Sequence, residues 1–264
     1  MKKSAHIILI PVYNDWKSLN RLIGEIDEKI KHFRVFRNEV LIINDRSTKK
    51  INIKNKKIKN IKRISLINLQ ENCGSQKAIA AGLAFIKKKR KNVFITVMDG
   101  DGEDQPKEIM GMLKASKKFK NFVITSNRKK RKETFVIRLL YKIHLMLTFL
   151  FTFEWMSFGN FTTFHSKNLE KIFKKNDSWL AYSSSIIKNC KIKRLYAKRG
   201  KRYFDKSKLS LINLIEHSLR VNAVFLRRVS FSSIFYLLIL HSLDLEIFIQ
   251  AVLSILVLIF WALI

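Results

Sequence analysis

The stretch Val93-Phe94-Ile95-Thr96-Val97-Met98-Asp99-Gly100-Asp101-Gly102-Glu103-Asp104-Gln105-Pro106 runs from an apolar segment straight into a carboxylate cluster. A short apolar run closed by acidic residues and then by proline reads as a buried strand, a loop and a helix start. Open α/β sheets bind ligands beyond the carboxyl ends of their parallel strands. Paired carboxylates there suit a hard divalent cation, Mg²⁺ or Mn²⁺, bridging a diphosphate. Asp99, Asp101 and Glu103 alternate, so an extended backbone would turn all three toward one ion. The same residues also fit a charged turn that caps the helix starting near Pro106, with Asp104 as a candidate cap.

On either side of this stretch, short apolar runs alternate with helical patterns. Strands are predicted at His6 to Pro11, Glu39 to Ile43, Ile64 to Leu69, Val93 to Met98 and Phe122 to Ser126. Helices are predicted at Lys17 to Lys31, Gln76 to Lys89 and Lys107 to Phe119. Strands separated by helices require crossover connections, hence an α/β fold with a doubly wound, mainly parallel sheet. The first apolar run is too short for a signal peptide, and Pro11-Val12-Tyr13-Asn14-Asp15 stands where a cleavage site would be. Pro11 and Tyr13, closing the first strand, can line a base pocket. Asp45, closing another, can accept a hydrogen bond from a base N–H because a carboxylate offers only acceptors. Gly74 allows a turn or close backbone approach, and a helix starting near Gln76 would offer free N–H groups to a phosphate.

The chain carries 52 Lys and Arg against 20 Asp and Glu, a net charge of +32, which calls for an anionic partner. Zinc-finger spacing and aromatic RNA-binding signatures are missing from the sequence, and its apolar tail has no use in a nucleic-acid binder, so an anionic membrane is expected and nucleic acid is not. Cys73 and Cys190 stand far apart without a companion His and read as reduced thiols in a cytosolic compartment.

From Thr134 to Trp155 a basic start leads into a strongly apolar run, as in an interfacial helix. The tail resolves into two apolar stretches, Val229 to Leu243 and Ile247 to Ile264, and no Lys or Arg follows Arg228. A spanning helix needs ~17–25 residues. The expectation is a C-terminal transmembrane hairpin in the inner (plasma) membrane with the large N-terminal part cytoplasmic. The shortness of the first span admits association into a homo-oligomer. Three regions follow: a core over 1–132, an acceptor-side region with interfacial helices over 133–222, and the hairpin over 223–264.

Four segments, taken in order, resemble the family 2 glycosyltransferases, in the branch of polyprenyl-phosphate sugar transferases. They are Pro11-Val12-Tyr13-Asn14-Asp15, Ile43-Asn44-Asp45-Arg46-Ser47-Thr48, Asn72-Cys73-Gly74-Ser75-Gln76-Lys77-Ala78 with Ala81-Gly82-Leu83, and Asp99-Gly100-Asp101-Gly102-Glu103-Asp104. The resemblance implies the GT-A fold and an inverting transfer of sugar from a nucleotide-diphosphate sugar to a polyprenyl phosphate or another lipid-linked acceptor. It assigns Pro11, Tyr13, Asn14, Asp45, Asn72, Gly74, Gln76 and Asp99 to the nucleotide, and Asp99, Asp101 and Glu103 to a divalent cation. Glu103 stands where that branch usually has Gln.

On the acceptor side, the resemblance assigns Arg128 and Arg131 to the lipid phosphate and, with Asp101, to catalysis. Guanidinium groups suit bidentate phosphate binding. The resemblance also assigns Arg202, Ser207 and Lys208 to the acceptor phosphate; they lie in a segment similar to the family's Arg-x-x-Gly-x-Ser-Lys, with Asp205 in place of Gly. Ser157-Phe158-Gly159-Asn160-Phe161 lines up with a segment in which an Asp usually stands where Ser157 is. A phosphate acceptor is already an anion and needs no general base, whereas a glycan or lipid hydroxyl would need one, from Asp104 or Glu154. A non-enzymatic reading, a basic membrane-surface binding protein, would leave the carboxylates as a helix cap only.

Overall fold

The computed structural model describes residues 4–31, 35–53, 58–128, 135–156, 158–197, 200–204, 211–243 and 246–264. β1 (Ser4–Val12), α1 (Trp16–Ile30), β2 (Phe36–Asn44), β3 (Arg63–Asn68), α2 (Gly74–Lys89), β4 (Phe94–Val97), α3 (Ile109–Lys118) and β5 (Phe122–Arg128) follow in the predicted order. After them come α4 (Phe135–Thr152), β6 (Phe158–His165), three short helices α5 (Leu169–Ile172), α6 (Asp177–Leu180) and α7 (Tyr182–Asn189), and β7 (Lys191–Ala197). α8 (Leu211–Ala223), α9 (Leu226–Ser242) and α10 (Ile247–Ala262) complete the chain.

The strands form one seven-stranded sheet in the order β3-β2-β1-β4-β6-β5-β7. All neighbouring pairs are parallel except those of β6, which runs antiparallel to both β4 and β5. The unbroken apolar run of β1 follows from burial on both faces. Ile7 and Leu9 point into one core, Ile8, Ile10 and Val12 into the other. α1 offers Leu19, Leu22, Ile23 and Ile26 to the second of these cores, at helical spacing, and α3 adds Met112 and Leu113. Ile79, Leu83 and Ile86 of α2 cover the opposite face together with Tyr182 and Ile186 of α7. The order of the sheet reverses between β1 and β4, which opens the crevice for a ligand at their carboxyl ends.

By internal contacts the chain divides into two units, Met1–Arg131 with Phe158–Ser207, and Lys132–Ser157 with Lys208–Ile264. The regions expected from the sequence are therefore regrouped. β6 has to fill the place between β4 and β5, so the middle of the chain returns to the sheet, while α4 and α8 join the C-terminal helices. In the second unit, α9 and α10 form a helical hairpin in which Gln250 donates to the Leu240 carbonyl at 2.7 Å and Trp261 donates to Ser230 at 3.0 Å. Ser232 of α9 donates to the Phe151 carbonyl of α4 at 3.0 Å, and Phe151 stacks on Phe260 of α10 at 4.3 Å.

No single helix among the described residues is long and apolar enough to cross a membrane. α10 has 16 residues and ends at Ala262, short of the expected Ile264. At the helical rise it is about 24 Å long, against ~30 Å for a hydrocarbon core. Ile215–Ala223 and Leu226–Ser242 reach span length only as a pair, bent by 94°. α10 nevertheless has no buried residue, and most of its apolar side chains stand exposed, Val257 and Phe260 being partly covered.

Candidate active site

The carboxyl ends of β1, β2 and β4 carry the segments singled out in the sequence. Pro11 is buried within β1, paired in register with Ile43, and Tyr13 is exposed just beyond the strand. Asn14, at φ 56°, ties the two rims together. Its backbone N–H donates to the Ser47 hydroxyl at 2.9 Å, its side-chain NH₂ to the Thr48 hydroxyl at 3.0 Å, and its side-chain Oδ1 accepts from Lys49 N–H at 2.8 Å. Asn72 is exposed on the approach to α2.

Asp45 is only 3% exposed, and its two oxygens accept the backbone N–H groups of Cys73 and Gly74, each at 2.9 Å. α2 starts at Gly74, two residues earlier than predicted, so a carboxylate of the protein occupies the helix start that the sequence offered to a phosphate. Burial and the neighbouring Asp45 charge push the Cys73 thiol up to about 11. Gln76 is buried and also engaged: its oxygen accepts from the Tyr182 backbone N–H at 2.9 Å, and its amide donates to the Asn160 side chain at 3.0 Å.

Asp99 and Asp101 follow β4, with Met98 between Asp99 and the strand's last residue. Asn160 of β6 donates to Asp99 Oδ1 at 3.1 Å. The Asp99 backbone N–H donates to the buried Asp104 carboxylate at 2.9 Å, which closes the loop on itself. Gln105, before the short 3₁₀ turn Pro106–Glu108, and Glu108, before α3, make no side-chain cap hydrogen bond. Asp101 Oδ1 accepts from Glu103 N–H at 3.0 Å, and Oδ2 lies 3.2 Å from the Arg202 guanidinium. Burial first, then the charge of Asp99, pushes the Asp101 carboxyl up to about 6; the Glu103 N–H and Arg202 oppose this.

The segment 200–204 lies across this loop. Gly200 N–H donates to the Glu103 carbonyl at 2.8 Å and Tyr203 N–H to the Asp101 carbonyl at 3.0 Å. Gly102 sits at φ +88°, and a Cβ there would fall 2.3 Å from the Tyr203 ring. At Gly200 a Cβ would fall 2.5 Å from the Gly102 carbonyl oxygen. Both glycines are required because backbone meets backbone under an aromatic ring. α1 anchors the segment: Glu25 accepts from the Tyr203 hydroxyl at 2.6 Å, Arg21 stacks over the Tyr203 ring at 4.3 Å, and Lys17 over Phe204 at 4.0 Å.

The three-carboxylate metal set is not assembled. Among the described residues, no three His, Cys, Asp or Glu side chains gather closely enough to hold an ion, because the chain turns at Gly102 instead of continuing extended to Glu103. Asp99 and Asp101 do stand close enough for one charge to shift the other. A pair of carboxylates fits the way Mg²⁺ and Mn²⁺ are usually bound in nucleotide sites, by one or two carboxylates plus the substrate phosphates. Arg128 ends β5 opposite Ala197 of β7. Arg131, Ser157, Ser207 and Lys208 lie outside the described residues.

The family model described as Glycosyl transferase family 2 matches residues 7–189, which include β1 from Ile7 onward, β2 to β6, and both carboxylates. The chain belongs to glycosyl transferase family 2. It is an enzyme, a glycosyltransferase, and its sheet has the GT-A arrangement. Among solved structures it is similar to glucosyl-3-phosphoglycerate synthase from Mycobacterium tuberculosis, solved with Mn²⁺, UDP-glucose and phosphoglyceric acid. The identity is 13%, over 86% of this chain and 80% of that one, with a TM-score of 0.60. Mannosyl-3-phosphoglycerate synthase from Rubrobacter xylanophilus is similar at 14% identity, over 86% and 74%, with a TM-score of 0.56. Residues 1–349 of S. aureus TarS, solved with UDP-GlcNAc, are similar at 18%, over 87% and 69%, with a TM-score of 0.52. At such identities the likeness is one of fold. Among proteins of curated function, none matches the sequence.

Within this family 2 site, sequence reasoning did not find Asn160, Glu25, Gly200 and Tyr203. Asn160 lay in a segment read only for Ser157, and Glu25 is an ordinary helix-surface residue until the fold brings Tyr203 to it. Arg202 was reached through the family resemblance, and its contact with Asp101 through the structure alone.

Proposed function

We propose that the protein transfers a sugar, with inversion, from a nucleotide-diphosphate sugar to a polyprenyl phosphate at the cytoplasmic face of a membrane. The observation that carries this reading is the Asp99–Asp101 pair at the β1–β4 crevice of a family 2 sheet, with Arg202 against Asp101. The UDP-sugar complexes of similar structures support the donor, and the Mn²⁺ in one of them supports a divalent cation.

A bound divalent cation would be held by Asp99 and Asp101 and supply positive charge to the diphosphate. In the reaction an acceptor oxygen bonds to the anomeric carbon while the bond from that carbon to the diphosphate oxygen breaks, its electron pair leaving with the nucleotide. Negative charge collects on the leaving diphosphate, so fixed cations around it lower the barrier. Arg202 already lies one carboxylate away from that charge. Arg128, Arg131, Ser207 and Lys208 are proposed to hold the acceptor phosphate, and Tyr13 and Asn72 to face the nucleotide.

Two features support a membrane acceptor: the largely exposed apolar helix α10 and the net charge of +32. α9 and α10 are proposed to enter the bilayer from the cytoplasmic side, where Arg227 and Arg228 would stay. A hydroxyl acceptor is less well served, since Asp104 is buried and bonded to Asp99 N–H, and Glu154 pairs with Arg228 at 2.8 Å.

Full-length protein in vesicles with polyprenyl phosphate, given radiolabelled nucleotide sugars, should yield lipid-extractable label. Label appearing only on an added glycan or lipid hydroxyl would refute the acceptor. Asp101→Ala should reduce transfer at least ~10³-fold while leaving vesicle association intact, and EDTA should abolish it in the parent protein.

A further inference from the structure

We infer that Gln76 and Asn160 form a one-way amide relay that orients Asp99, which makes both of them positioning residues for the carboxylate pair. This rests on the proposed reading of Asp99 and Asp101 as the groups that hold a cation against the diphosphate.

The direction of the relay is decided by its two ends. The Tyr182 backbone N–H can only donate, and it faces the Gln76 side-chain oxygen at 2.9 Å. The NH₂ of Gln76 is therefore turned the other way, onto Asn160 Oδ1 at 3.0 Å. That in turn aims the NH₂ of Asn160 at Asp99 Oδ1, at 3.1 Å, and a carboxylate can only accept. Flipping either amide would set oxygen against oxygen at one junction and leave an N–H facing a donor at the other. Only one arrangement satisfies all three contacts.

The relay is built into rigid parts. Tyr182 opens α7, Gln76 lies in the first turn of α2, and Asn160 is in β6. Thr162, two residues on and on the same face of β6, meets the Tyr182 hydroxyl at 2.6 Å, and Tyr182 is fully buried. Gln76 is itself only 8% exposed. Asp99, on a loop, is thus oriented by groups that cannot shift without unpacking one core. Asn160 takes Oδ1, while Oδ2 of Asp99 accepts no hydrogen bond among the described residues. Orientation by a hydrogen-bonded neighbour typically matters 10–100-fold in metal affinity.

The test is Mn²⁺ affinity, read by electron paramagnetic resonance on the full-length protein with Mn²⁺ alone and with UDP or GDP added. Melting temperatures are taken on every variant. Asn160→Ala should bind Mn²⁺ ~10-fold more weakly or worse. Gln76→Glu keeps the size of the side chain but removes its donor, which forces Asn160 to turn its oxygen toward Asp99, and should weaken Mn²⁺ to a similar degree. Gln76→Ala placed on top of Asn160→Ala should add little, because the relay is already cut. Parent-level Mn²⁺ affinity in Asn160→Ala or Gln76→Glu, or losses that simply add in the double variant, would overturn the relay. If the parent protein itself bound no Mn²⁺ under any of these conditions, the assignment of the carboxylate pair would fall, and the inference with it.

Discussion

Asp101 shows how environment outweighs residue type. An exposed Asp ionises near 3.8; here burial and Asp99 move the carboxyl up to about 6, against the pull of Arg202. The folded state therefore binds this proton more tightly than the unfolded chain does. Its stabilising share is fully present below about pH 4 and is lost as pH rises through about 6. In EDTA, the melting temperature of Asp101→Asn relative to the parent protein should accordingly rise between pH 4 and pH 7, and then level off. A difference that stays flat across that range would remove the raised value. Asp45 illustrates the opposite limit of reading residues singly: its acceptor chemistry was evident from the sequence, but its partners are the first N–H groups around α2. Nothing in the local sequence distinguishes a base N–H from a backbone one.

The segment 200–204 is held to the carboxylate loop by two backbone hydrogen bonds, an ion pair and the ring of Tyr203, with Gly102 and Gly200 making room. Gly102→Ala combines a positive φ with a Cβ driven into Tyr203, and should cost about 2 kcal/mol or more in chemical denaturation. Adding Tyr203→Ala should return the steric part and leave the backbone part. If the double variant is no more stable than the single one, the ring is not what excludes the Cβ. β6 is the element the sequence concealed most completely. Phe158–His165 has no clean alternation because both its faces are packed, and its place between β4 and β5 depends on hydrogen bonds to strands far away in the chain. That placement is also what carries Asn160 to Asp99.

The chain joins a mostly sheet-based unit to a helical unit that carries an apolar hairpin whose second helix is largely exposed. Charge and insertion make different demands on a membrane. Attraction between exposed charges is screened within ~3 Å at 1 M salt, while burial of α10 in hydrocarbon is not screened at all. Flotation of the full-length protein with vesicles containing anionic lipid should therefore persist in 1 M NaCl. Complete release by salt would place the attachment on charge alone and refute the proposed hairpin insertion. Vesicles of neutral lipid should capture less protein at low salt, by the share that the basic residues contribute.

The succession of strands and helices, the α/β class and the rim positions of Asp45, Asp99 and Asp101 were all legible in the amino-acid order, because burial on two faces and turn chemistry are imposed over a few neighbouring residues. The tertiary structure alone decided which distant groups share a hydrogen bond. It put Asn160 on Asp99, Arg202 on Asp101, Glu25 under Tyr203, and left Glu103 out of a three-ligand set. Those pairings depend on sheet order and loop closure across many tens of residues, and no local pattern of side chains encodes a contact whose partners meet only after the sheet has formed.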